Sequence, residues 1–147
     1  MAGSKGNTYE LDYLESVFYG TVVGISGLVL SGTATKFWVS LHTVTDLETA
    51  AQNTSEADYG SYVRVVVDRT SGSWVITTGA APAASPLAAI TFATSTLSGS
   101  TLQTFAIGTA SAGAGYVYYW GNLSSSIAMN TSGISPILTT GTTVEEQ

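Results

Sequence analysis

Phe37, Val39 and Leu41 alternate with Trp38, Ser40 and His42, and further on Val63, Val65 and Val67 alternate with Tyr62, Arg64 and Val66. Side chains of an extended strand point to opposite faces in turn, so a period of two predicts strands with one buried face. The inward set is Phe37, Val39 and Leu41 on one strand and Val63, Val65 and Val67 on the other. His42 and Arg64 then fall on the outward face. Ser71-Gly72 leads into Trp74-Val75-Ile76-Thr77 as a hairpin partner, and residues 79–85, punctuated by Pro82 and Pro86, read as a connection. Residues 88–93, 101–107, 115–121 and 137–144 supply further strands. That gives about eight strands with turn signals between them and no strand-helix-strand rhythm, the grammar of an all-β sandwich or jelly roll.

One segment follows a different period. Asn7 and Glu10 stand in the spacing of a capping box, and Leu11, Leu14, Val17 and Phe18 share one helical face. A short helix over 8–19 is therefore expected, with Gly20 as its stop. Residues 1–7 form a flexible polar lead, and 8–147 a single β-sandwich domain that includes the helix. The apolar stretch 17–30 is broken by Gly20, Gly24 and Gly27 and has an acidic flank. It is read as part of the fold and not as a leader or a membrane span.

Charge narrows the functional classes. Four basic residues against ten acidic ones give a net charge of −6, and only 10% of the 147 residues are charged. Nucleic-acid binding needs Lys and Arg clustered on one face, and Lys5, Lys36, Arg64 and Arg69 are too few and too scattered. The same shortage argues against a polybasic membrane contact. There is no cysteine, so stability must come from packing and assembly. Ser, Thr, Gly and Asn replace charge on the surface. Such a surface suits broad contact with other subunits, and equally a β protein with short polar loops.

Catalytic chemistry finds little material. His42 is the only histidine and the only imidazole that a nucleophile could use as base. It is read as a hydrogen-bonding residue at a strand end. Asp46, Glu48, Glu56 and Asp58 share one loop but lack the alternating ligands and central glycine of a calcium loop. The glycine-rich stretch 108–115 has no Lys and leads into another strand, so it reads as a hairpin loop. No catalytic, cofactor-binding or metal-ligating residue is assigned, and no cofactor is expected. The candidate interface residues are Asp46, Glu48, Glu56 and Asp58, together with Tyr116, Tyr118, Tyr119 and Trp120. On a regular strand Tyr116, Tyr118 and Trp120 share a face, which fits either core packing or a subunit interface.

Four blocks, in order, carry a resemblance. They are Phe37-Trp38-Val39-Ser40-Leu41-His42-Thr43, Ser61-Tyr62-Val63-Arg64-Val65, Ala89-Ile90-Thr91-Phe92, and the run from Phe105 to Ala110 that precedes Gly115-Tyr116-Val117-Tyr118-Tyr119. Over roughly residues 8–145 the chain resembles a family of small virion proteins of tailed bacteriophages. The resemblance implies a non-enzymatic structural component of a particle, made in the cytoplasm of the bacterial host. The first expectation is a decoration or cement protein on the capsid exterior, a dimer or trimer that binds across neighbouring subunits of the major capsid protein. The alternatives are a tail-fibre or baseplate-associated protein, and a carbohydrate-binding module on the tail.

Overall fold

A computed structural model of the protein describes residues 7–20, 35–79 and 81–145. Most of the apolar stretch 17–30, from residue 21 on, and residues 1–6 of the expected lead lie outside the described residues. In order, the elements are helix α1 (Asn7–Tyr19) and strands β1 (Lys36–His42), β2 (Val65–Asp68), β3 (Trp74–Thr77), β4 (Ala83–Pro86), β5 (Ile90–Thr91), β6 (Leu102–Gly108), β7 (Val117–Ile127), β8 (Ile137–Leu138) and β9 (Val144–Glu145). The protein is all-β, with antiparallel strands arranged in sheets and one short N-terminal helix. The chain forms two compact units.

The first unit comprises residues 36–67 and 90–138. Its four-stranded sheet has the order β2-β1-β6-β7, and a small second sheet pairs β5 with β8. Central strands β1 and β6 are antiparallel, with Val39 opposite Ile107, Leu41 opposite Phe105 and His42 opposite Thr104. Opposed residues share a face, so Val39, Leu41, Phe105 and Ile107 form one apolar layer, all buried. The other face carries Ser40, His42, Ala106 and Thr104, and these are buried too. The expectation that His42 points outward is thus corrected. The loop after β1 folds back over that face, with Thr43 N donating to Ser55 O at 2.9 Å and Ala57 N to Leu41 O at 2.8 Å.

The second alternating run is shorter than its sequence suggests. Val63 is 62% exposed, Val65 and Val67 are half-buried, and Arg64 is buried. A turn closed by Tyr62 N to Tyr59 O, with Ser61 at φ 74°, holds residues 59–62 out of the strand. The inward assignment of Val63 and the outward one of Arg64 are therefore reversed, because an ion pair and not a valine fills the space beneath.

The second unit contains the described parts of 1–35, 68–89 and 139–147. Here α1 packs on a sheet of order β3-β4-β9. Leu14, Val17 and Phe18 are buried, and the Phe18 ring meets Trp74 at 4.7 Å. Gly20 adopts φ 67°, the left-handed conformation that ends helices and that glycine reaches without a Cβ clash. Arg69 donates from Nε to Val17 O at 2.7 Å and from Nη2 to Ser16 O at 3.0 Å, occupying carbonyls of the last helical turn.

Two strand expectations need correction in this unit. Trp74–Thr77 does not form a hairpin with the preceding strand. The turn at Thr70, whose carbonyl accepts from Ser73 N and Trp74 N, sends the chain into β3, which pairs with β4. Residues 83–86 are that central partner and not a connection. Pro82 and Pro86 bracket the strand without removing an interior donor, and the small side chains of Ala83 and Ala84 are buried in the layer that α1 contacts. The expected last strand over 137–144 is two strands, β8 and β9, separated by a turn in which Thr142 N donates to Thr139 O.

Candidate functional site

The buried face of β1 is polar by composition and closed by one glutamine. Gln52, fully buried, donates from Nε2 to Trp38 O at 2.7 Å and to Ser40 Oγ at 3.4 Å. Its Oε1 accepts from Ala110 N at 3.1 Å, and its own backbone N donates to Gly115 O at 2.8 Å. Ser40 Oγ lies 2.9 Å from His42 Nε2, and His42 Nδ1 lies 2.9 Å from Thr54 O. A carbonyl can only accept, so Nδ1 carries the proton and Nε2 accepts from the Ser40 hydroxyl. Burial lowers the His42 pKa, against the pull of the Thr54 bond, and favours this neutral form. The Ser-His spacing is that of a nucleophile and its base. Both residues are 0% exposed, however, so no substrate atom reaches the hydroxyl.

A second buried cluster lies on Arg64. Its Nε donates to Glu56 Oε1 at 2.6 Å and its Nη2 to Glu56 Oε2 at 2.7 Å, a bidentate pair. Nη1 donates to Ala110 O at 2.7 Å and Nη2 to Gly113 O at 2.8 Å. Tyr62 completes the cluster: its hydroxyl donates to Glu56 Oε1 and accepts from Leu41 N, both at 3.0 Å. Burial pushes the Tyr62 phenol well above its usual range. The pair thus fixes the loop between β6 and β7, which is the hairpin loop expected from the glycines.

The four loop acids do not converge. Glu56 is committed to Arg64. Asp58 accepts from Ser100 N at 2.7 Å and Ser100 Oγ at 2.9 Å, bonds that hold its pKa below the usual aspartate value. Asp46 Oδ1 accepts from Glu48 N at 2.8 Å and so braces the turn. Glu48 is exposed. Among the described residues no three His, Asp or Glu side chains are grouped to hold a metal ion.

The four late aromatics also separate. Tyr116 precedes β7 and is 82% exposed, and Tyr118 is 53% exposed. Tyr119 stands opposite Ile107 and Trp120 opposite Ala106, hence on opposite faces of the sheet. The strand pairing shifts register between Ile107 and Gly108, so two residues of β7 span one of β6 and the simple alternation fails at Tyr118. β7 is the edge of its sheet and contains no charged residue and no proline.

Of the eight candidate interface residues, Glu48 and Tyr116 come together. They line a shallow groove of about 660 Å³ with Thr49, Ala50, Thr109 and Val117. Residues that sequence reasoning did not select build its frame: Gln52, Arg64 and Thr109. No sequence signal marks them, since a polar residue in an apolar run reads as exposed until its partner is located.

Residues 19–145 match the family described as podophage GP4 fiber I protein gp80. The chain belongs to this family. No curated protein and no solved structure gives a significant match. As a member of the gp80 fibre family, the chain is a structural protein of a tailed-phage virion and not an enzyme. A fibre family overturns the expectation that the major capsid protein is its partner.

Proposed function

We propose that this gp80-family protein is a building block of a tail-associated fibre, assembled in the host cytoplasm and carried on the particle exterior. The observation that supports this reading is the family match over 19–145, nearly the whole chain. Its partners are then tail or baseplate components. The edge strand β7 suits such contact: it is long, uncharged and carries the exposed Tyr118. The narrower expectation of a capsid cement protein drew on the resemblance to virion proteins and on the hydroxyl-rich composition, and the fibre family weighs against it.

Copy number separates the two. Quantitative mass spectrometry of purified virions is expected to find tens of copies or fewer, and antibody labelling should decorate the tail. Particles lacking the protein should keep their heat stability and lose adsorption to cells. Hundreds of copies on the head, with heat-labile particles in their absence, would refute the fibre reading.

A further inference from the structure

The groove between the turn at 46–51 and the hairpin loop at 109–117 is held by more structure than two surface loops need. Gln52 ties both walls to β1 through the bonds described above, and it lies so close to the hairpin that a Cβ on Gly115 would stand 2.7 Å from Gln52 Oε1. Arg64 grips the same hairpin from below at Ala110 and Gly113. On the groove wall, Tyr116 N donates to Thr109 Oγ1 at 3.0 Å and Thr109 N to Tyr116 O at 3.1 Å. The opposite wall is pinned by Asp46 on Glu48 N, by Ala50 N on Leu47 O at 3.1 Å, and by the buried Leu47 side chain.

This frame ends in two side chains that make no described hydrogen bond or ring contact, the Tyr116 ring and the Glu48 carboxylate. A tyrosine ring left in water on a fixed backbone is an apolar platform whose backbone is already ordered, so binding has only the ring's own rotamers left to fix. A free carboxylate beside it accepts hydrogen bonds from two neighbouring hydroxyl groups. Thr49 and Thr109 put hydroxyl groups in the lining, and Ala50, Ala51, Ala114 and Gly115 keep it open.

We propose that this groove binds a neutral pyranose sugar. The C–H face of the ring lies on Tyr116 and adjacent hydroxyl groups donate to Glu48. No Lys or Arg lines the groove, and Glu48 repels anions, so phosphorylated and acidic sugars are excluded. A quaternary ammonium or lysine ligand would need a cage of several rings, and the lining offers one. A shallow site with one ring implies a dissociation constant of roughly 1 mM per sugar. The site is a property of the isolated chain, so its test is independent of where the protein sits on the particle.

The test is a two-dimensional amide NMR titration of the full chain with methyl glycosides of glucose, galactose, mannose and N-acetylglucosamine. Glucose 6-phosphate and tetramethylammonium form the charged arms. At least one neutral glycoside is expected to shift the amides of 48–51, 109 and 114–117 and leave the other described residues in place. Tyr116→Ala should weaken binding at least tenfold and Glu48→Gln several-fold, both with unchanged spectra away from the groove. Leu97→Ala, at an exposed site outside the groove, should bind as the parent does. The proposal is overturned if no neutral glycoside shifts these amides at 50-fold excess over the expected constant, if a charged probe binds more tightly, or if Tyr116→Ala binds equally well.

Discussion

Replacing Arg64 by alanine is expected to cost far more than its place in a valine run suggests. The change removes both bonds to Glu56 and both bonds to the hairpin carbonyls of Ala110 and Gly113. Glu56, with a side chain only 19% exposed, keeps among the described residues only the hydrogen bond from the Tyr62 hydroxyl. Breaking a buried pair and stranding one charge costs about 3–5 kcal/mol. Gly113 is exposed and its carbonyl can turn to water, so the low end of that range, about 3 kcal/mol, is the expected loss. Against a typical total of about 5–15 kcal/mol this is a large fraction. Val65 is half-buried, and Val65→Asp should cost less, about 1–2 kcal/mol. Urea unfolding of the parent, Arg64→Ala, Glu56→Leu, the Arg64→Met/Glu56→Leu pair and Val65→Asp gives the free energies from midpoints at constant slope. The apolar pair should recover much of the single-variant loss, since it strands no charge. A loss under about 1 kcal/mol for Arg64→Ala, or a larger loss for Val65→Asp, would refute the account of this cluster.

His42 makes stability depend on pH in one direction. Burial lowers its pKa in the fold, so below about pH 6.5 the unfolded chain takes up a proton that the folded chain refuses. Its contribution is fully present above pH 6.5 and is lost as pH falls toward the depressed folded value, with a slope of at most about 1.4 kcal/mol per pH unit. Glu56 and Arg64 are the charged groups that act on it, and Asp58, held low by Ser100, titrates beneath this window. Unfolding free energies at pH 7 and pH 5 should differ in the parent and nearly agree in His42→Asn; equal slopes in both would exclude the histidine as the cause. Gly108→Ala should lower stability by about 1–3 kcal/mol, because the new Cβ overlaps Gln52 and stands 2.5 Å from the Tyr116 carbonyl oxygen. Gly141→Ala, whose Cβ would meet only Thr139 Oγ1 at 3.6 Å, is the control in a thermal melt, and equal melting temperatures would remove the packing argument.

What was legible in the sequence was whatever apolar periodicity announces. Helix α1 starts one residue before its expected range, and β1 and β6 lie within a residue of theirs, because Leu14, Val17 and Phe18, or Phe37, Val39 and Leu41, have one face to bury. The other face of β1 was illegible for a physical reason. Ser40 and His42 are polar, and polarity reads as exposure unless a partner is known. Their partners, Gln52 and Thr54, lie in a loop whose composition predicts only a turn. Arg64 was misplaced in the same way, since a buried charge is invisible until its counter-ion is located. β7 outran its expected end at Gly121 and continues to Ile127 through Ser124, Ser125 and Ser126, because pairing with β6 resumes at Leu102 after an irregular stretch. The groove itself was half legible. Glu48 and Tyr116 are selected for unrelated reasons, and nothing in their spacing indicates that they line one groove.

The cluster around Gln52 restricts how this chain can change. The Trp38 carbonyl demands a donor, which sets the amide one way round; the amide then leaves the Ser40 hydroxyl free to donate only toward His42. Gln52→Glu would set an acceptor against that carbonyl and draw the Ser40 proton away from Nε2. Ser40→Ala would leave the imidazole nitrogen bare, and a change at His42 would leave Ser40 and Thr54 facing nothing. Each single step therefore passes through a less stable protein than either end. Alternative sequences for positions 40, 42 and 52 are reachable as a set, while Tyr116 and Glu48 in the groove can change one at a time without loss of stability.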